Sequence, residues 1–81
     1  MMNAAQCRAA RALLDWTQPR LAEAAGVGLS TVVDFEKERR AVSAEAVGKL
    51  MAALQGVGVE FTNGGKPGGV RLALDPEPGA A

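Results

Sequence analysis

A chain of 81 residues with 48% hydrophobic side chains, 4% aromatics and a formal net charge of zero has room for one small domain and one modest core. Much of the apolar content is alanine, which favours closely packed helices over a sandwich of β-branched and aromatic strands. Zero net charge supplies no bulk attraction to nucleic acid, and a single cysteine with no histidine excludes an internal disulfide, the usual zinc sites and nucleophile–base pairs.

The charge is unevenly placed. Leaving out Asp75 and Glu77 near the C-terminus, seven acidic groups face nine basic ones, and Lys37, Arg39 and Arg40 cluster within four positions. Cys7 shares an apolar helix face with Ala10 and Leu14, which reads as an inert buried thiol. The start, MMNAAQCRAARALL, lacks the long apolar core of a signal peptide, and no apolar run approaches the roughly 18 residues of a membrane span. The expectation is a soluble, cytoplasmic protein that is not an enzyme, with no catalytic residues, metal, cofactor or membrane partner.

The first helix is predicted over Ala4–Leu14, with Asn3 as its cap and Gln6 completing a capping-box pair three residues on. Cys7, Ala10, Leu13 and Leu14 recur at helical spacing, and Asp15-Trp16 is the break. Thr17 caps a second helix that carries Pro19 in its first turn. Leu21, Ala24 and Ala25 form its inner face, and Gly26 takes the left-handed conformation that ends it.

A third helix follows almost at once, from Leu29 to about Lys37. Val32, Phe35 and Glu36 fall on one face; Ser30, Val33, Asp34 and Lys37 fall on the other. Ser43 caps a fourth helix with Glu45 in its first turn and an apolar stripe of Val47, Leu50, Met51 and Leu54, ended by Gly56 and Gly58. Alternation then replaces helical spacing. Val57, Val59 and Phe61, and later Val70, Leu72 and Leu74, flank the turn formers of Asn63–Gly69 and predict a β-hairpin. Residues 1–56 are thus a helical domain, 57–74 a hairpin, and 75–81 a disordered tail.

Two short helices joined by Gly26-Val27-Gly28 make a helix-turn-helix. The frame RxLLxWTQxxLAxxAGVxxSTVxxFExxRR, beginning at Arg11 and ending at Arg40, resembles the Cro/C1-type (XRE) helix-turn-helix regulators of phages and bacteria. The likeness spans about Ala5 to Leu54. It implies a mainly α, lambda-repressor-like bundle of four helices, here followed by the hairpin, in which the third helix enters the major groove of DNA and the second crosses the backbone.

Carried onto this chain, the resemblance places Leu29, Ser30, Val33 and Asp34 against bases. Leu29 and Val33 suit thymine methyls, Ser30 several bases, and Asp34 cytosine N4. Thr17 and Gln18 at the start of the second helix, with Thr31, Lys37, Arg39 and Arg40, are implied on phosphates. Arg11 and Glu36 match the places of an internal, structural ion pair. Gly28 departs from the usual side-chain cap, which bears on sequence preference and hardly on the fold.

A single domain makes few base contacts, so a homodimer on a palindromic operator is expected, with half-sites about 34 Å apart. Val59, Phe61, Val70 and Leu72 are the candidate dimer interface, since they offer an apolar face and an open edge that an isolated hairpin must cover. Folding of that face onto the first and fourth helices of the same chain is the competing arrangement. The functional expectation is a sequence-specific DNA-binding regulator of transcription, most simply a repressor. An antitoxin or protein-binding adaptor on the same fold is the alternative, kept open by the neutral charge and by Asp34 on the reading face.

Overall fold

Helix ends, more than helix interiors, organise this fold. The computed structural model describes residues 1–62 and 68–73. It contains α1 (Ala4–Leu14), α2 (Gln18–Ala25), α3 (Leu29–Glu36), α4 (Ala44–Gln55), β1 (Val59–Thr62) and β2 (Gly69–Leu72). The expectations for residues 63–67, for Leu74 and for the 75–81 tail lie outside the described residues.

Each helix starts where its capping side chain predicts, except α3. Asn3 and Gln6 bond each other's backbone N–H in a reciprocal capping box. Thr17 accepts from the Arg20 N–H, with Pro19 in the first turn, and Ser43 accepts from the Ala46 N–H. Caps of this kind contribute about 1 kcal/mol each. The α3 N-terminus begins at Gly28, which has no side chain with which to cap it.

Three helices end in the same way. A left-handed residue follows the last turn, and the next N–H reaches back to a carbonyl five residues earlier, the double bond of a Schellman turn. In α1 the bonds run from Asp15 to Ala12 and from Trp16 to Arg11. In α2 they run from Gly26 to Glu23 and from Val27 to Ala22; in α3, from Glu38 to Phe35 and from Arg39 to Asp34. The left-handed residues are Asp15 (φ 56°), Gly26 (φ 71°) and Glu38 (φ 55°), so two of these three turns are made without glycine.

The core lies between the helices. Leu21 of α2, Val32 of α3, Leu50 and Leu54 of α4, and Cys7 and Ala10 of α1 are fully buried, and Val47 nearly so. With so few large side chains, close approach of alanine-rich helices supplies much of the packing.

The hairpin pairs antiparallel in the register Val59↔Leu72, Glu60↔Arg71, Phe61↔Val70 and Thr62↔Gly69. Its placement matches the competing arrangement. The apolar face intended for a second copy lies on this chain's own core: β2 packs on α1 and β1 on α4. Val59 is only 2% exposed, and Phe61, Val70 and Leu72 pack partly buried against the same cluster. A two-stranded hairpin needs such a support to persist in water, and the helical body is the surface already at hand. The outward face carries the Glu60–Arg71 ion pair. Gln6 completes the attachment. Its buried amide donates to the carbonyls of Thr62 and Gly69 at 3.2 and 3.0 Å, one from each strand. Among the described residues no helix is long and apolar enough to cross a membrane.

The left-handed turns make opposite predictions at two sites. A Cβ at Gly26 would meet nothing within 4 Å. Gly26→Ala should therefore cost only the conformational penalty of the left-handed region, about 1–2 kcal/mol. Glu38→Gly relieves that penalty at an exposed site and, after glycine's own entropic cost, should stabilise by roughly 0.5–1 kcal/mol. Urea unfolding midpoints would check both; a shift of the same sign in the two variants would contradict the left-handed assignment.

Candidate nucleic-acid interface

The α2–α3 unit is built on the glycine turn. Gly26 reverses the chain, Val27 tucks against the core, and Gly28 returns to extended backbone (φ −71°, ψ 151°), so only three residues separate α2 from α3. Packing between α2 and α3 then fixes one face of α3 inward. Val32 and Glu36 are buried and Phe35 packs partly buried against the core, as their spacing predicts.

Glu36 is the centre of the arrangement. Its side chain is 1% exposed, yet both oxygens are filled. Arg11 grips it in a fork, Nε to Oε2 at 2.7 Å and Nη2 to Oε1 at 2.8 Å. The Gln18 amide donates to Oε1 at 3.0 Å and the Cys7 thiol to Oε2 at 3.2 Å. Arg8 donates to the Glu36 carbonyl, and the remaining Arg11 nitrogen to the Trp16 carbonyl at 2.9 Å. One carboxylate therefore ties α3 to both α1 and α2.

Protonation follows from the same geometry. Burial alone would raise the Glu36 carboxyl, but the bonds from Arg11, Gln18 and Cys7 and the Arg11 charge outweigh it, and the group sits below its ordinary value. Burial pushes the Cys7 thiol up, and the neighbouring carboxylate pushes it further, so sulfur stays a donor. The hydrogen bond to Glu36 is a second task for Cys7 beyond filling the core.

The outward face of α3 carries the residues expected on bases. Leu29, 46% exposed, and Ser30 are open to solvent, whereas Val33 and Asp34 are half-buried. Thr31 is half-buried beside them, and Thr17 is exposed at the start of α2 with its oxygen engaged as a cap. Gln18, expected on phosphate, points its amide at Glu36 instead, which leaves one amide hydrogen and the backbone N–H for any second partner.

The basic cluster past α3 separates into two kinds. Lys37 and Arg39 are exposed, and no ion pair joins either to another described residue. Arg40 is different: its Nε lies 2.8 Å from Asp34 Oδ2. Arg40, expected on phosphate, is thus ion-paired with Asp34 on the outward face of α3. The left-handed turn at Glu38 makes this possible, because it folds the following residues back over the last turn of α3.

Several contacts had no sequence signal strong enough to name them, among them Gln6 on the hairpin, Cys7 and Gln18 on Glu36, and the Arg20 guanidinium 4.6 Å above the Trp16 ring. The only hint for the first three was a polar side chain in line with an apolar helix face.

A protein-family model described as helix-turn-helix matches residues 8–61, which spans α1 to β1. No curated protein matches the chain.

Removing Arg11 should be costly, because a buried carboxylate would lose its neutralising partner. Arg11→Met is expected to destabilise by about 3–5 kcal/mol. The acid limb of stability offers an independent check. The Glu36 value is lower in the folded chain than in the unfolded one, so its stabilising contribution is complete above an unfolded value of about 4.3 and is lost as pH falls below it. Urea midpoints between pH 2 and 7 should fall less steeply with acid in Glu36→Gln than in the parent chain.

Proposed function

The chain belongs to the Cro/C1-type helix-turn-helix family, and from that membership we propose that it is a sequence-specific regulator that reads double-stranded DNA through α3. The observation that carries the proposal is the anchoring of α3 by the Glu36 network, which leaves Leu29, Ser30, Val33 and Asp34 facing away from the core. An α-helix presented this way fits the major groove with its first turn toward base edges.

In this reading Ser30 and Asp34 supply hydrogen bonds to bases, and Leu29 and Val33 supply contacts to thymine methyls. Thr17, the α2 N-terminus, Thr31, Lys37 and Arg39 meet the backbone. Lys37 and Arg39 carry charge that is not committed elsewhere among the described residues, so they contribute through counterion release. The acidic side chain that favoured an adaptor or antitoxin is neutralised by Arg40, which supports DNA over a basic protein partner.

The regulator acts most simply as a repressor, by occupying a promoter. Two copies on a palindromic operator would raise an affinity that one short helix supplies poorly. With the hairpin's apolar face partly buried within the chain, the contact between copies in such a dimer would use its open edge or another surface.

Selection from a random duplex library at near-physiological salt tests this reading. An enriched motif is the expected result, and a palindrome with half-sites about one helical turn apart would establish the dimer. A folded protein that enriches no sequence would remove DNA reading. Lys37→Ala with Arg39→Ala should weaken binding to all duplexes alike and reduce the slope of log K against log salt by about 0.9 for each phosphate lost. Loss confined to one sequence would move these residues from backbone to base contact.

A further inference from the structure

The Asp34–Arg40 pair joins a side chain on the reading face to a cation at its border. Asp34 is 22% exposed and Arg40 52%, so the carboxylate is the more enclosed partner and the guanidinium the more accessible one. Arg40 uses Nε on Oδ2 and leaves Oδ1 unfilled by it. An exposed ion pair contributes little net stability, so a phosphate or a base can compete for either partner.

The competition is not even-handed. When the helix lies in the groove, moving Arg40 onto a phosphate leaves the Asp34 carboxylate bare among the negative charges of the backbone. That is unfavourable unless something donates to Asp34 at the same moment. In the major groove the donor available to a carboxylate is an exocyclic amine, most directly cytosine N4.

Resting on the DNA reading above, we propose that Asp34 is a specificity-determining residue that acts by withholding Arg40 from phosphate until an amine-bearing base takes its place. On an indiscriminate duplex the pair stays closed. Asp34 then repels the backbone and Arg40 adds no phosphate contact. On the correct base pair the amine satisfies Asp34, Arg40 turns to the backbone, and base reading and phosphate binding occur together. A near-neutral domain thereby suppresses non-specific affinity without giving up a cation at its operator.

The proposal predicts salt slopes as well as affinities. For the parent protein, log K against log salt should be steeper on its selected site than on a scrambled duplex by about 0.9, one extra phosphate contact. Asp34→Ala places a strong helix former on the outer face of α3 and frees Arg40 everywhere. Its binding to scrambled duplex should tighten, and between 50 and 200 mM salt should fall about 3.5-fold further than the parent's, the consequence of that one contact. Its two slopes should become equal, and the preference at the base pair facing position 34 should disappear.

Arg40→Ala added to Asp34→Ala should return the scrambled-duplex slope to the parent value. That double variant separates a released arginine from the mere loss of a negative charge. An equal gain with and without Arg40, or parent slopes that do not differ between the two duplexes, would overturn the proposal while leaving DNA binding intact. A parent protein with no affinity for any duplex at low salt would instead remove the DNA reading, and this inference with it.

Discussion

A buried carboxylate is tolerable only where its charge and its lone pairs are both answered, and Glu36 is the point at which this chain meets that demand. Arg11 answers the charge; Gln18 and Cys7 fill the remaining positions. The donors come from α1 and from the first turn of α2, so satisfying one side chain sets three helices relative to one another. Replacing the group by an apolar residue could keep the core dry, but directional bonds would no longer specify the rotation of α3. That rotation decides which side chains face outward. The link from core chemistry to the outward face of α3 therefore runs through Glu36 more than through any leucine.

The same economy appears in the turns. An 81-residue chain rich in alanine has few large side chains with which to hold loose connections. Here successive helices are joined through Schellman turns that satisfy terminal carbonyls at once, and three helices begin on a side chain that satisfies an N–H. Short connections also reduce the loop entropy lost on folding. Gln6 extends this to the hairpin: one amide both closes the capping box of α1 and bonds both strands, so local and long-range order share a residue.

What could be read from residue order follows from these facts. Helix limits were legible because Asn3, Thr17 and Ser43 are cap formers followed by helical apolar spacing, and Gly26 is a turn former after it. The Arg11–Glu36 pair was legible only through family resemblance, since periodicity places each residue on a face without saying which faces meet. The hairpin was visible in its alternation, but alternation distinguishes two faces and does not say what covers the apolar one. Asp34 and Arg40 are six apart, beyond the reach of an ordinary helical pair. Only the left-handed turn at Glu38 brings them together, and glutamate carries no sign of that conformation.

That hidden turn has the larger consequence for charge. In a strongly basic domain, phosphate attraction dominates and an acidic residue on the reading helix subtracts from it. In a chain with zero net charge the balance is closer, and the placement of each cation matters more than their sum. Lys37 and Arg39 are exposed, whereas Arg40 is already held by Asp34 on the outward face of α3. On phosphate, affinity drawn from the first two would be indifferent to sequence. Under the proposed exchange, affinity drawn from the third would depend on what replaces it at Asp34, so near-neutrality would also be a source of discrimination.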